Sequence, residues 1–290
     1  MRSVHELGAA ADAAVTQPAA SKPRRLHSRL GKGLRELAAP DHVFPLLAII
    51  LFFVVWEIVC RVFSVPVFIL PKPSEFLGVL ITKWPAILPN AVQTLYTTIV
   101  GFALGVLVGA AIGACIGLSR FVYRVTYPLL IGFYSVPKIA VVPILVIWFG
   151  IGTVPAILTA AIMCLFPVVV NVATGLATTE PELEDVLRSL GASKLDILRR
   201  VGLPRSMPYF FASLKIAVSL AFVGTVVAET VAANIGIGSM MILASSTFDV
   251  PLVFAGVFLL AVLGVAMYAV FALIERRVTF WARRNADVAV

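Results

Sequence analysis

Six apolar runs alternate along the chain with short polar stretches, at about 44–63, 92–118, 126–148, 154–177, 209–233 and 251–274. Helices of about 20 apolar residues cover a hydrocarbon core of about 30 Å, so each run has the length of a membrane crossing. The strict apolar–polar alternation of a transmembrane strand is absent, which sets a β-barrel aside. Charge follows the same division. Between Val125 and Ala177 there is one charged residue, Lys138, whereas Glu180 to Arg200 carries nine. The pattern predicts an all-α membrane protein of about six transmembrane helices, with a charged helical insertion at 178–208.

Within that insertion Leu183, Val186, Leu187 and Leu190 recur at i, i+3, i+4 and i+7, one apolar helix face. Thr179 and Glu182 have capping-box spacing, with Pro181 in the first turn, where proline is tolerated. Gly191 ends this helix, because it reaches left-handed backbone angles without a Cβ penalty. A side chain placed there is expected to clash at the corner. Ser193 and Asp196 repeat the cap spacing, and Leu195, Leu198 and Val201 continue an apolar stripe. Pro204 and Pro208 are expected to end the unit before the fifth span. The prediction is a helix–Gly–helix hairpin of two helices of about ten residues, about 15 Å each and too short to cross a bilayer. Its apolar faces are expected to pack on the ends of the spans. A plain connection needs only two to eight residues, so a structured insertion of about thirty points to docking.

The bulk numbers fit this picture. The chain has 290 residues, 60% hydrophobic and 13% charged, with a mean hydropathy of +1.02. A soluble domain carries about 25% charged residues, so too little polar surface is present to coat a globule. The net charge of +8 is a matter of topology rather than of nucleic-acid binding. Six spans put both termini on one side. The 1–43 tail, the 119–124 loop, the 178–208 loop and the C-terminus after Ile274 carry 18 Lys and Arg on that side, against Lys72 and Lys83 on the other. The positive-inside rule makes the basic side cytoplasmic. Residues 1–43 read as a basic, flexible cytoplasmic tail without a signal-peptide core, and 44–290 as the transmembrane domain. The Lys22–Arg35 cluster suits anionic lipid headgroups.

Several residues stand out inside the spans. Gly101, Gly105, Gly109, Gly113 and Gly117 fall on every fourth position and bare one helix face for close packing, against this chain or a second copy. In the third span Pro137 and Pro143 each remove a backbone donor, which a membrane helix tolerates where neighbours or a cavity satisfy the freed groups. Lys138 lies between them. A central lysine costs about 2.5–3.5 kcal/mol on insertion scales unless it faces a polar interior or caps a helix end. Pro137, Lys138, Pro143 and Glu229 are therefore candidates to line a translocation pathway. Glu229 and Asn234 alternatively cap an irregular turn in the glycine-containing 226–240 stretch. Glu57 and Arg61, four apart, are expected to pair, and Lys215 to snorkel toward the cytoplasmic interface. Pro71 and Pro73 force an elbow after the first span, and Ser74 and Glu75 open a short helix.

Catalytic and metal chemistry find little material. His5, His27 and His42 all lie in the tail, and Cys60, Cys115 and Cys164 sit in apolar runs as packing residues. The reading assigns no catalytic residue, no metal site and no bound cofactor. A membrane enzyme needs a polar cluster at membrane depth, and an ion-coupled secondary transporter needs mid-membrane carboxylates and paired inverted halves. Neither is evident. "GKG" at 31–33 lacks the spacing of a phosphate loop.

The hairpin resembles the EAA loop of ABC-importer permeases, Glu-Ala-Ala, three residues, Gly, nine residues, Ile-x-Leu-Pro. Asp185 stands at the Glu position, Val186 and Leu187 replace the alanines, Val201 replaces Ile, and Gly191, Leu203 and Pro204 match. "LPKPSE", "VPKIAVVPILVIWFGIG", "GASKLDILRRVGLPRSMPYFFASLKIA" and "AETVAANIGIG" extend the resemblance over about 66–277, to the nitrate/sulfonate/taurine branch. The resemblance implies a type I importer permease fold and ATPase coupling through Glu184, Asp185, Arg188, Gly191, Ala192, Ser193, Leu203 and Pro204. It implies a bacterial inner-membrane location and three partners: a second permease copy, a cytoplasmic ATPase dimer that uses the ATP and Mg, and a periplasmic substrate-binding protein. The expected solute is a small anion, a sulfonate such as taurine, nitrate, or an organic or aromatic acid. A pyrimidine precursor or flavin is the alternative within the same branch.

Overall fold

The computed structural model describes residues 40–178 and 181–279, all helical apart from short connections. The Lys22–Arg35 cluster, the Thr179–Glu182 cap, the Glu184 side chain and Arg283 and Arg284 lie outside the described residues. Chain contacts divide the protein into two units at Val55/Trp56. The first contains the beginning of α1 (Pro40–Val62), whose apolar side chains Phe44, Leu51 and Phe52 are exposed, as a lipid-facing helix requires.

The second unit continues through α2 (Pro73–Thr82), α3 (Trp84–Gly117), α4 (Arg120–Tyr134), a 3-10 turn (Lys138–Val141), α5 (Val142–Phe149) and α6 (Thr153–Ala177). Then follow α7 (Pro181–Ser189), α8 (Lys194–Ile197), a π-helical turn (Leu198–Gly202), α9 (Leu203–Ala232), α10 (Ile237–Ser246) and α11 (Val250–Val278). Among the described residues five helices are long and apolar enough to cross a membrane, and a sixth crossing is made if α4 and the 138–149 segment are taken together, bent by 75°.

The core is built on α6, whose most apolar window is 61% buried, between α3 and α9. Ala160, Cys164, Val168, Val172 and Leu176 of α6 meet Phe102 of α3 and Leu214, Ala217, Val218 and Ala221 of α9. The glycine stripe of α3 finds its partner here, inside the chain. A Cβ built at Gly101 would lie 2.5 Å from Ala160 Cβ, and one at Gly105 would clash with Cys164 Sγ. At Gly113 and Gly117 the obstacles are Val172 Cβ at 2.9 Å and Leu176 Cβ at 2.8 Å. The facing positions on α6 also recur every four residues, so two i, i+4 ridges interlock along the pair. Cys164 and Cys60 are buried, but Cys115 is exposed, on the side of α3 turned away from this contact.

Two expectations about prolines are corrected. Pro143 makes no break: it sits in the first turn of α5, where a missing N–H costs nothing. Between Arg120 and Phe149 the break lies at Pro137, ahead of the 3-10 turn. Nor do Pro204 and Pro208 separate the hairpin from the fifth span. Pro204 occupies the first turn of α9 and Pro208 lies inside it. The second hairpin helix runs through the π turn, where Leu203 N donates to Leu198 O, into one continuous helical rod.

Candidate functional site

The hairpin is closed by local chemistry. Gly191 has φ +82°, and Ala192 N donates to Leu187 O at 3.0 Å while Gly191 N donates to Arg188 O at 2.9 Å. These two bonds form a Schellman closure of α7. Ser193 and Asp196 form a reciprocal cap. Asp196 N donates to Ser193 Oγ at 3.2 Å, and Ser193 N donates to Asp196 Oδ2 at 3.3 Å. The expected clash at Gly191 is absent, since nothing lies within 4 Å of a Cβ built there. The demand for glycine comes from the backbone angle instead.

The hairpin's apolar stripe packs on the spans in part: Leu198 lies against the core formed with Leu176 and Leu214, and Leu187 and Val201 are half-buried. Ile197 is buried, but Val186, Leu190 and Leu195 are 57%, 77% and 71% exposed. The second helix is carried outward as an extension of α9, so its tip stands clear of the bundle and the leucines on either side of Gly191 face outward. Asp185, Arg188, Ser193, Leu203 and Pro204 are also exposed, and Ala192 is half-buried.

A second group surrounds the bend in the third span. Lys138 Nζ donates to Tyr134 O at 2.7 Å, capping the end of α4. It also lies 4.4 Å from the centroid of the Tyr134 ring and 5.1 Å from that of Phe166. The half-buried lysine thus satisfies one carbonyl left by the break and rests on two aromatic faces, a favourable setting for a cation away from water. An open cleft of about 260 Å³ adjoins it, lined by Tyr134, Pro137, Lys138, Ile139, Met163 and Leu220. Pro143 and Glu229 are not among its lining residues.

Glu229 is 2% exposed and lies inside the junction of α3, α9 and α10. Its Oε2 accepts from Thr94 Oγ1 at 2.8 Å and from Gly238 N at 3.1 Å. Asn234, the other proposed cap, is exposed; the cap is supplied by Glu229 with Thr94 and Asn90 of α3. Lys215 does not snorkel. It is paired with Glu275 of α11 at 2.6 Å, with the two side chains 22% and 14% exposed. Glu57 and Arg61 pair at 2.7 Å, and the carboxylate also accepts from Ser74 Oγ at 2.9 Å, tying α1 to the start of α2. Thr94, Asn90, Phe166 and Glu275 carry no signal in the sequence, because each is defined by a partner distant along the chain. Among the described residues no three of His, Cys, Asp and Glu come together as metal ligands would.

Residues 101–280 match the family described as "Binding-protein-dependent transport system inner membrane component". The formylaminopyrimidine transport permease ThiX of Halalkalibacterium halodurans is 31% identical over 249 residues, covering 83% of this chain and 96% of its own. The riboflavin transport system permease RibX of Chloroflexus aurantiacus is 32% identical, covering 80% and 88%. SsuC of Escherichia coli, described as an aliphatic sulfonates transport permease, has the same identity and coverage. Among solved structures, a chain of the inward-facing MetNI methionine ABC transporter superposes with a TM-score of 0.59 at 20% identity, covering 68% of this chain and 98% of that one.

Proposed function

The chain belongs to the family of binding-protein-dependent transport system inner membrane components, multi-pass permeases of ABC importers, and from that premise we propose that it forms the path for a small anion such as a sulfonate, nitrate or an organic acid. This membership sets aside the secondary-transporter and membrane-enzyme readings. The observation that carries the solute class is Lys138, a cation held at the bend of a broken span beside an open cleft. A fixed positive charge in a low-dielectric site favours an anion over a neutral solute of the same shape.

In this reading two copies of the chain face one another, and a periplasmic binding protein delivers the solute. ATP is hydrolysed on a separate pair of cytoplasmic subunits. The exposed Leu190 and Leu195 flank the Gly191 corner and dock in a groove on each ATPase. The positive-inside rule puts this hairpin and both termini in the cytoplasm. Closure of the ATPase pair around ATP moves the hairpin. The continuous rod of α8, the π turn and α9 passes that movement to the core helices and tips a two-state bundle from inward to outward access. The support for this coupling is mechanical: the second arm of the lever and the fifth span are one helical piece.

A second reading has a specific observation behind it. The relatives named for formylaminopyrimidine and riboflavin transport are as similar to this chain as the one named for sulfonates. Tyr134, which lines the cleft, offers an aromatic ring on which a neutral heterocycle would stack. Uptake into proteoliposomes holding the complete importer separates the two. For an anionic solute Lys138→Ala lowers the rate by about tenfold or more and Lys138→Arg retains most of it. Anion uptake at the unaltered rate in Lys138→Ala rejects the anion reading. For a heterocycle, Tyr134→Leu is the damaging change.

A further inference from the structure

Three successive backbone amides at the start of α10 donate to side chains of other helices. Gly236 N donates to Asn90 Oδ1 at 2.9 Å, Ile237 N to Thr94 Oγ1 at 2.9 Å, and Gly238 N to Glu229 Oε2 at 3.1 Å. The Thr94 hydroxyl donates its own proton to the same carboxylate oxygen at 2.8 Å. One oxygen of Glu229 therefore joins α9, α3 and α10. Among the described residues Glu229 Oε1 has no hydrogen-bond partner.

The surrounding backbone leaves no slack. Gly236 has φ +141°, and a Cβ there would fall on the Glu229 carboxyl group. A Cβ at Gly238 would lie 2.7 Å from both Glu229 Cβ and Val226 O. Apolar packing reinforces the joint: Ile237 is fully buried against Ile87 and Ala91 of α3 and Leu259 of α11. Apolar faces can slide past one another at small cost, but these amides cannot leave their acceptors without being stranded where no water replaces them. The transport reading requires the bundle to change shape, and this junction resists doing so.

We propose that Glu229 is a positioning residue of the transport cycle: through Thr94 and the amides of 236–238 it welds α3, α9 and α10 into one body that moves as a unit between access states. This rests on the alternating-access reading, but not on the identity of the solute. Because Oε2 does all the joining and Oε1 none, an amide carbonyl at position 229 suffices for the weld.

The test uses the complete importer with its ATPase and binding protein, in nanodiscs for distances and in proteoliposomes for uptake. Spin labels replace the exposed Tyr96 of α3 and Leu243 of α10, in labelled chains diluted with unlabelled ones. The expected result is one narrow distance distribution, the same without nucleotide and after vanadate trapping. A distance that differs between the two states overturns the proposal, with no variant needed. Glu229→Ala is expected to broaden the distribution and lower solute transported per ATP by about tenfold, while Glu229→Gln restores both. A narrow distribution with unchanged transport per ATP in Glu229→Ala also overturns it. Loss of uptake in Lys138→Ala leaves these distances unaffected, so the solute reading and this one fail separately.

Discussion

Gly105 of α3 and Cys164 of α6 touch so closely that a Cβ on the glycine would clash with the cysteine sulfur. Cys164 is fully buried, and its Sγ lies 3.4 Å from Ala161 O. The pair marks the middle of an interlocked ridge that runs from Gly101 to Gly117. Association of membrane helices depends on such close packing, because lipid gives no hydrophobic incentive for apolar faces to separate from it.

The first prediction is therefore steric. Gly105→Ala forces the two helices apart and lowers stability by about 1–3 kcal/mol. Pairing it with Cys164→Ala, which removes the obstructing sulfur, recovers part of the loss. Thermal unfolding of the detergent-solubilised protein measures both. Equal stability of Gly105→Ala and the unaltered protein is incompatible with this contact.

The Lys215–Glu275 pair joins α9 to α11 at 2.6 Å with little solvent around it. Removing one partner leaves a charge in a poorly solvated site, so Lys215→Met is expected to destabilise by about 3–5 kcal/mol. The double variant Lys215→Met/Glu275→Gln removes both charges and lies closer to the unaltered protein than either single change. A double-mutant cycle in unfolding free energy reads the coupling, and strict additivity rules the pair out as a stabilising contact.

Leu190 and Leu195 are exposed on either side of the hairpin corner, outside the apolar spans. Leu190→Asp and Leu195→Asp are expected to leave folding intact, since neither side chain is packed within the chain. Docking to the ATPase subunit weakens by about 2 kcal/mol, roughly thirtyfold in Kd. Titration of the purified ATPase against the permease in nanodiscs checks this. Unchanged affinity in both variants removes the hairpin tip from the interface.

At Gly191 the requirement is conformational. With φ +82° and open space where a Cβ would point, Gly191→Ala pays only for its backbone angle, about 1–2 kcal/mol, and Gly191→Asn less. Gly191→Val is the severe change, because β-branching disfavours this angle most strongly. The order Asn, Ala, Val in loss of transport per ATP is the expected outcome. An equal loss for all three points to a steric demand from the partner.

Some of this protein is written locally. The lengths of the apolar runs, the one-sided distribution of Lys and Arg, the Ser193–Asp196 cap and the Gly191 closure each depend on residues within a few positions of one another. Membrane thickness, helix periodicity and the glycine angle act on that scale, so the hairpin and five of the spans are legible in the amino-acid sequence itself. Local pattern also makes Pro204 and Pro208 look like breaks, because it holds no sign that the second hairpin helix runs through a π turn directly into the fifth span. It places Lys215 at the lipid interface, because nothing near it in the chain announces Glu275.

What the tertiary structure alone decided are the contacts between distant segments. The glycine stripe required close packing, but only the path of the chain brings Ala160, Cys164, Val168, Val172 and Leu176 against it. Thr94 meets Glu229 across 135 positions, and Asn90 meets Gly236 across 146. A side chain's period along one helix specifies which face is apolar or small, and leaves open which helix covers it. That choice belongs to the whole bundle, where every buried polar group must find its partner at once.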